Sequence, residues 1–180
     1  MIKMEWQMYA VPGLRIKYPR AWVFQDQNLA TKQMLVLFSK DKIDCQSTFD
    51  NFTRNVTIAA ETIDLKTEPY KNVKDNPERL LEIYVNKKIK ILENKIKDFT
   101  LLNKERIEIK ELYRKFKGDL AIKLTYKGEY YDFDLKWVQY FAIIDGDIIV
   151  VLTATDFRER FNEDFTQVTE EMIDSMELTP

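Results

Sequence analysis

The chain has no histidine, one cysteine and only four glycines in 180 residues. Each shortage removes a class of chemistry. Without histidine there is no serine–histidine or cysteine–histidine nucleophile pair. The single Cys45 allows no intrachain disulfide, and with histidine missing it excludes a structural zinc site of the Cys/His kind. Cys45 is read as a buried or inert thiol. Glycines 13, 118, 128 and 146 are too scattered to form a phosphate-cradling loop. No apolar run reaches the roughly 18 residues of a membrane helix. The segment Met1–Ala10 carries Glu5 and Gln7 where a signal peptide needs an unbroken apolar core, and no lipobox cysteine follows. The expectation is a cytoplasmic protein as written, or an extracytoplasmic one if an export signal has been removed.

Charge of either sign is also not in excess. Lys and Arg number 28 against 30 Asp and Glu, a formal net charge of −2. Such a balance gives no long-range field for nucleic acid or anionic lipid, so nucleic acid is not expected as a partner. An apolar content of 45% with 13% aromatics fits a folded, soluble protein. The length suits one domain, spanning 1–180, with a sizeable core.

What is present is patterned. Val11-Pro12-Gly13 separates a short opening strand from a second over Leu14–Tyr18, and Pro19 ends it. Ala21-Trp22-Val23-Phe24 resumes an extended run, and Met34–Ser39 is a compact apolar strand. Lys40–Arg54 is polar and turn-rich. In Asn55–Ile63, Val56, Ile58 and Ala60 share one face, the period of a half-buried strand. Asp64–Asn76 carries little pattern and ends in a helix start, with Asn76 as N-cap, Pro77 in the first position and Glu78 in the first turn. Leu81, Val85, Ile89, Leu92 and Ile96, with Phe99 one turn on, form a single apolar stripe. Lys87, Lys90, Glu93, Asn94 and Lys97 lie opposite it. A basic amphipathic helix of this kind either packs on a sheet with its lysines in water or lies on a membrane or partner.

Leu101–Tyr113 alternates again, followed by a turn at Lys117-Gly118-Asp119. Three strands are then expected at Leu120–Tyr126, Phe133–Ile144 and Ile148–Thr155. The last two are joined by Ile144-Asp145-Gly146-Asp147, since Asp-Gly tolerates the positive φ of a tight hairpin. In the first of the three, Leu120, Ile122, Leu124 and Tyr126 share a face. Ile148–Leu152 is apolar on both faces, as for a strand covered on each side. A helix over Arg158–Met176 is expected to start from Asp156 as N-cap with Glu159 three residues on. Its stripe is Phe161, Phe165, Val168, Met172 and Met176. Hairpins leave no room for helical crossovers, so the order of elements favours an α+β class with an antiparallel or mixed sheet flanked by helices.

The densest unusual cluster is Tyr126-Lys127-Gly128-Glu129-Tyr130-Tyr131-Asp132-Phe133-Asp134. Tyr126, Tyr130, Tyr131, Asp132 and Asp134 are the candidate partner-binding residues, because tyrosine offers a large contact area with a polar tip. The competing reading is that the tyrosines cover a sheet edge and the aspartates discourage edge pairing. Asp132 and Asp134 as ligands of a hard cation fall short of the six to eight oxygens calcium takes. No metal, cofactor or catalytic residue is expected. Trp6, Trp22 and Trp137 each lie in or beside an apolar strand and are read as core or hairpin packing.

Two separated segments resemble one family. Leu14-Arg15-Ile16-Lys17-Tyr18-Pro19-Arg20-Ala21-Trp22 is similar to the opening of the PsbP/Mog/DcrB-like superfamily, where alternating apolar residues lead into Tyr-Pro and then Trp. Gly118-Asp119-Leu120-Ala121, Val138-Gln139-Tyr140-Phe141 leading to Asp145-Gly146, Val151-Leu152-Thr153-Ala154-Thr155 and Phe161 through Ser175-Met176 look like its C-terminal pattern. Met176 stands where phenylalanine is usual, and Lys40–Asn76 has no counterpart. The resemblance implies an α/β/α sandwich with an antiparallel sheet of about six strands. It also implies a mostly non-catalytic role, since members include extrinsic photosystem subunits, a Ran-binding protein, bacterial lipoproteins and adaptors for secreted effectors. Those roles differ too much for any functional residue to be carried over. The expected function is a non-catalytic protein-binding or adaptor domain whose partner is another protein. The alternatives are a carboxylate- or tyrosine-dependent enzyme with a pocket between sheet and helix, and a membrane-peripheral accessory protein using the Pro77–Lys97 helix.

Overall fold

Hairpins and long alternating strands dominate the second half of the chain, and they build one large antiparallel sheet. A computed structural model describes residues 4–12, 14–26, 34–40, 52–108 and 120–178. The strands are β1 (Trp6–Val11), β2 (Leu14–Pro19), β3 (Val23–Asp26), β4 (Met34–Ser39), β5 (Asn55–Thr62), β6 (Lys97–Glu108), β7 (Leu120–Tyr130), β8 (Phe133–Asp145), β9 (Ile148–Phe157) and β10 (Glu177–Leu178). The described residues also form two α-helices, α1 (Pro77–Lys95) and α2 (Glu163–Asp174), and a short 3-10 turn at Tyr70–Asn72. The large sheet has seven strands in the order β3-β4-β5-β9-β8-β7-β6, and β1-β2-β10 form a separate small sheet. Cys45, the turn at residues 117–119 and the expected strand beyond Glu108 lie outside the described residues.

The position of β9 explains its two apolar faces. It lies between β5 and β8. Val150, Leu152 and Ala154 enter a core with Ile16, Phe38, Val56, Ile58, Phe165 and Met172, under α2 and the small sheet. Ile149 and Val151 point the other way, into a core with Leu80, Leu81, Tyr84, Val85, Leu124 and Phe141 under α1. The result is three layers, the α/β/α order that the family resemblance implies.

The α1 start follows its local signals. Asn76 Oδ1 accepts the Arg79 N–H at 2.9 Å, Pro77 occupies the first turn and Glu78 meets the positive helix end. Its end departs from the stripe. The helix stops at Lys95, Asp98 turns left-handed with φ 53°, and Phe99 belongs to β6.

The second helix also starts later than expected. Its N-cap is Asn162, whose Oδ1 accepts the Phe165 N–H at 3.1 Å. Asp156, the expected cap, is instead a buried residue within β9, held by Arg54 and Arg160. Arg158 through Asn162 form the link that carries the chain from sheet to helix. The tryptophans are packing residues: Trp137 stacks on Tyr126 at 5.1 Å, Trp22 lies 6.2 Å from Phe165, and Trp6 borders the core under α2.

Candidate recognition site

The β7–β8 hairpin sets the site. Tyr130 pairs with Phe133, which leaves Tyr131 and Asp132 as the two turn residues. A two-residue hairpin loop requires positive φ at its centre, normally supplied by Asn-Gly. Here Tyr131 adopts φ 49° and Asp132 φ 65°. For a bulky aromatic this is a sterically costly region. Tyr131 is 59% exposed and Tyr130 41%, and their rings meet edge to face at 4.4 Å. The hydrogen bond between the two phenols, with partial burial, raises the Tyr130 pKa, so its hydroxyl stays protonated.

A cleft of about 370 Å³ opens beside the hairpin, lined by Asp98, Thr100, Lys127, Gly128, Glu129, Asp134 and Arg158. Asp134 Oδ2 lies 3.2 Å from Arg158 Nε, and its backbone oxygen accepts the Arg158 N–H at 3.0 Å. Lys97 Nζ donates to Oε1 of Glu129, one of the lining residues, at 2.8 Å. That hydrogen bond, then the Glu129 charge, holds the Lys97 amine above its ordinary value. Gly128 permits the close approach that shapes the cleft. A Cβ there would lie 2.3 Å from Ile96 Cγ2 and 2.8 Å from the Lys97 carbonyl oxygen.

Four of the five residues expected from the sequence, Tyr130, Tyr131, Asp132 and Asp134, lie together on this surface. Tyr126 does not join them. It is 2% exposed, packed between Phe99 and Trp137, and burial pushes its phenol far up in pKa. The reason is strand alternation, which turns Tyr126 inward with Ile122 and Leu124. Lys97, Asp98, Glu129 and Arg158 were not expected from the sequence. Gly128 inside a strand was the available signal, since such a glycine marks a close backbone approach.

Among the described residues no group of three or more His, Cys, Asp or Glu side chains is placed to hold a metal ion. A separate polar cluster lies where α1 meets β5. Tyr84 Oη donates to Glu61 Oε2, and Lys88 Nζ donates to Glu61 Oε1 at 2.7 Å. Burial, followed by the bond to Glu61, raises the Tyr84 pKa well above the phenol range. Both Glu61 oxygens are engaged and the phenol keeps its proton, which does not suit a general base. The apolar face of α1 is likewise committed, with Leu80, Leu81, Tyr84 and Val85 buried against the sheet. Among the described residues no helix is long and apolar enough to cross a membrane.

No protein-family model matches the chain, and no curated protein matches it in sequence. Solved structures do match in fold. Cyanobacterial PsbP (CyanoP) from Synechocystis sp. PCC 6803 superposes with TM-score 0.58 at 15% identity, covering 98% of this chain and 94% of that one. LpqN of Mycobacterium tuberculosis, described as involved in cell envelope biogenesis, gives 0.60 at 11% identity over 99% and 92%. The Saccharomyces cerevisiae Ran-binding protein Mog1p gives 0.53 at 8% identity over 98% and 96%. The architecture is thus a known kind of α+β sandwich. It is the PsbP/Mog-like fold.

Proposed function

We propose that this chain is a non-catalytic protein-binding domain, an adaptor or accessory subunit, whose contact patch is Tyr130, Tyr131, Asp132 and Asp134. One observation carries the reading: Tyr131 keeps an exposed aromatic ring on a left-handed backbone. Local folding favours Asn or Gly at this position, so the tyrosine is retained against a conformational cost. Exposed aromatics beside charged groups are the composition of interface centres. The occupied Glu61–Tyr84–Lys88 cluster and the buried face of α1 support this reading over the enzymatic and membrane-peripheral ones. The Ran-binding activity in the name of Mog1p shows that this fold serves protein partners elsewhere.

Placing a photo-crosslinking amino acid at Tyr131 in the native cell tests it. The expected result is one discrete protein adduct. Tyr130→Ala with Asp134→Asn should reduce it at least about tenfold, as loss of a central contact would. No discrete adduct, or one unchanged by those substitutions, overturns the patch.

A further inference from the structure

Exposed sheet edges are usually guarded against pairing by charge, bulges or brevity. Among the described residues four strands stand at sheet edges, and three of those edges are guarded in this way. β6 has two register breaks and carries Lys97, Asp98, Lys104, Glu105, Arg106 and Glu108. β3 has four residues and β10 has two. The fourth edge, β1, has six residues, Trp-Gln-Met-Tyr-Ala-Val, with no charge, proline or glycine. Its register with β2 is unbroken from Trp6–Pro19 to Val11–Leu14.

The backbone direction along β1 follows from its hydrogen bonds. The Glu5 carbonyl accepts the Arg20 N–H at 2.8 Å, so Glu5 faces β2. Antiparallel alternation then points Gln7, Tyr9 and Val11 toward β2, and the N–H and C=O groups of Trp6, Met8 and Ala10 outward. Two further facts agree. Pro19, which has no N–H, stands opposite Trp6, and Lys17 opposite Met8 sends its N–H away to Ser175 Oγ at 2.8 Å. The side chains above this edge are apolar and exposed: Met4 46%, Met8 51% and Val11 38%.

We propose that β1 is a self-pairing edge, joining two copies of this chain through antiparallel β1–β1 pairing about a two-fold axis beside Met8. With Met8 opposite Met8 of the second copy, Trp6 meets Ala10 and Ala10 meets Trp6. All three outward-facing residues of each strand are then matched to outward-facing residues of the other, an isologous closed interface. The large indole lies beside the small alanine on one face. No charge within β1 opposes its own copy, and Glu5 is already engaged by Arg20 at 3.0 Å. A single strand pair is small, which places the dimer at the weak, concentration-dependent end of specific association. This inference goes beyond the hairpin patch and does not depend on it.

The test is sedimentation velocity on the full chain from micromolar to millimolar concentration. Wild type should shift reversibly to a dimer. Met8→Lys and Met8→Glu each place like charges face to face and should weaken association on the order of tenfold or more. An equimolar mixture of the two variants should restore the dimer, which a merely misfolded edge would not do. A Met8→Cys, Cys45→Ser variant should oxidise to a crosslinked dimer, because directly paired residues lie within disulfide reach, about 5.5 Å between Cα atoms. Tyr131→Gly should leave all of this unchanged. A strictly monomeric wild type, or a dimer indifferent to Met8→Lys, overturns the proposal.

Discussion

Arg54 Nε lies 2.5 Å from Asp156 Oδ2, and no part of Asp156 reaches solvent. Arg160 Nη2 lies 3.3 Å from the other oxygen, which also accepts the Phe157 N–H at 2.8 Å. The guanidinium of Arg54 continues to the Arg160 carbonyl at 2.7 Å and sits over the Phe165 ring at 4.5 Å. One buried carboxylate thereby ties the start of β5 to the chain that leads into α2. Removing one partner of such a pair leaves an uncompensated charge, so Asp156→Ala should cost about 3 kcal/mol in urea denaturation. Arg54→Met combined with Asp156→Leu should recover most of that loss, because an apolar pair leaves no buried charge. Equal loss in the single and double variants would refute the account.

Gly128→Ala should destabilise by about 1–3 kcal/mol. Its new Cβ would fall 2.8 Å from the Lys97 carbonyl oxygen, and a backbone atom moves less readily than a side chain. A chemical denaturation curve with an unchanged midpoint would show that the β6–β7 approach is looser than described.

Replacing Tyr131-Asp132 by Asn-Gly supplies the residues that the turn geometry prefers. The expected gain is about 1 kcal/mol, with partner capture lost. Stability rising as binding falls is the signature of a residue kept for contact. Thermal melts beside the crosslinking assay would decide it, and a loss of stability would show that the tyrosine pair supports the fold.

Acid should weaken the α1–β6 junction. Glu82 accepts from Lys104 Nζ, and Arg106 Nη2 lies 3.5 Å away. The Lys104 hydrogen bond foremost, with both positive charges, holds the Glu82 carboxyl below its ordinary value near 4.5. A depressed folded pKa gives stability that is complete above the unfolded value and lost as pH falls through the folded one. The pair is partly solvated, so the effect should be about 1 kcal/mol or less. Glu82→Gln should flatten the stability profile on the acid side of 4.5 and leave its slope at neutral pH unchanged.

Local signals located much of this fold. Met34–Ser39 is a strand with those bounds, α1 begins at Pro77 after its Asn76 cap, and the two-faced apolar run of β9 marks the middle of the sheet. The start of α2 was not legible, since Asp156 and Asn162 are both good caps. The choice is made by Arg54, 102 residues away in sequence, which draws Asp156 into the sheet. At the site, alternation with Leu124 already turned Tyr126 inward, and that period outweighs its membership of a tyrosine-rich run. Lys97 meets Glu129 only through pairing of β6 with β7, and Arg158 reaches the cleft only through the end of β9. Such long-range pairings leave no mark in a window of sequence.

The small sheet has a consequence for how the protein is made. β1 and β2 are translated before β10, which completes their sheet, and before Ser175, which caps the Lys17 amide. Until α2 is made, the β1–β2 hairpin therefore waits without that helix above it, with Ile16 and Leu14 uncovered. Nascent chains in that state present apolar hairpins to one another. Completion of α2 is the step that shelters them, so shortening this helix should lower soluble yield more than it lowers the melting temperature of the molecules that do fold.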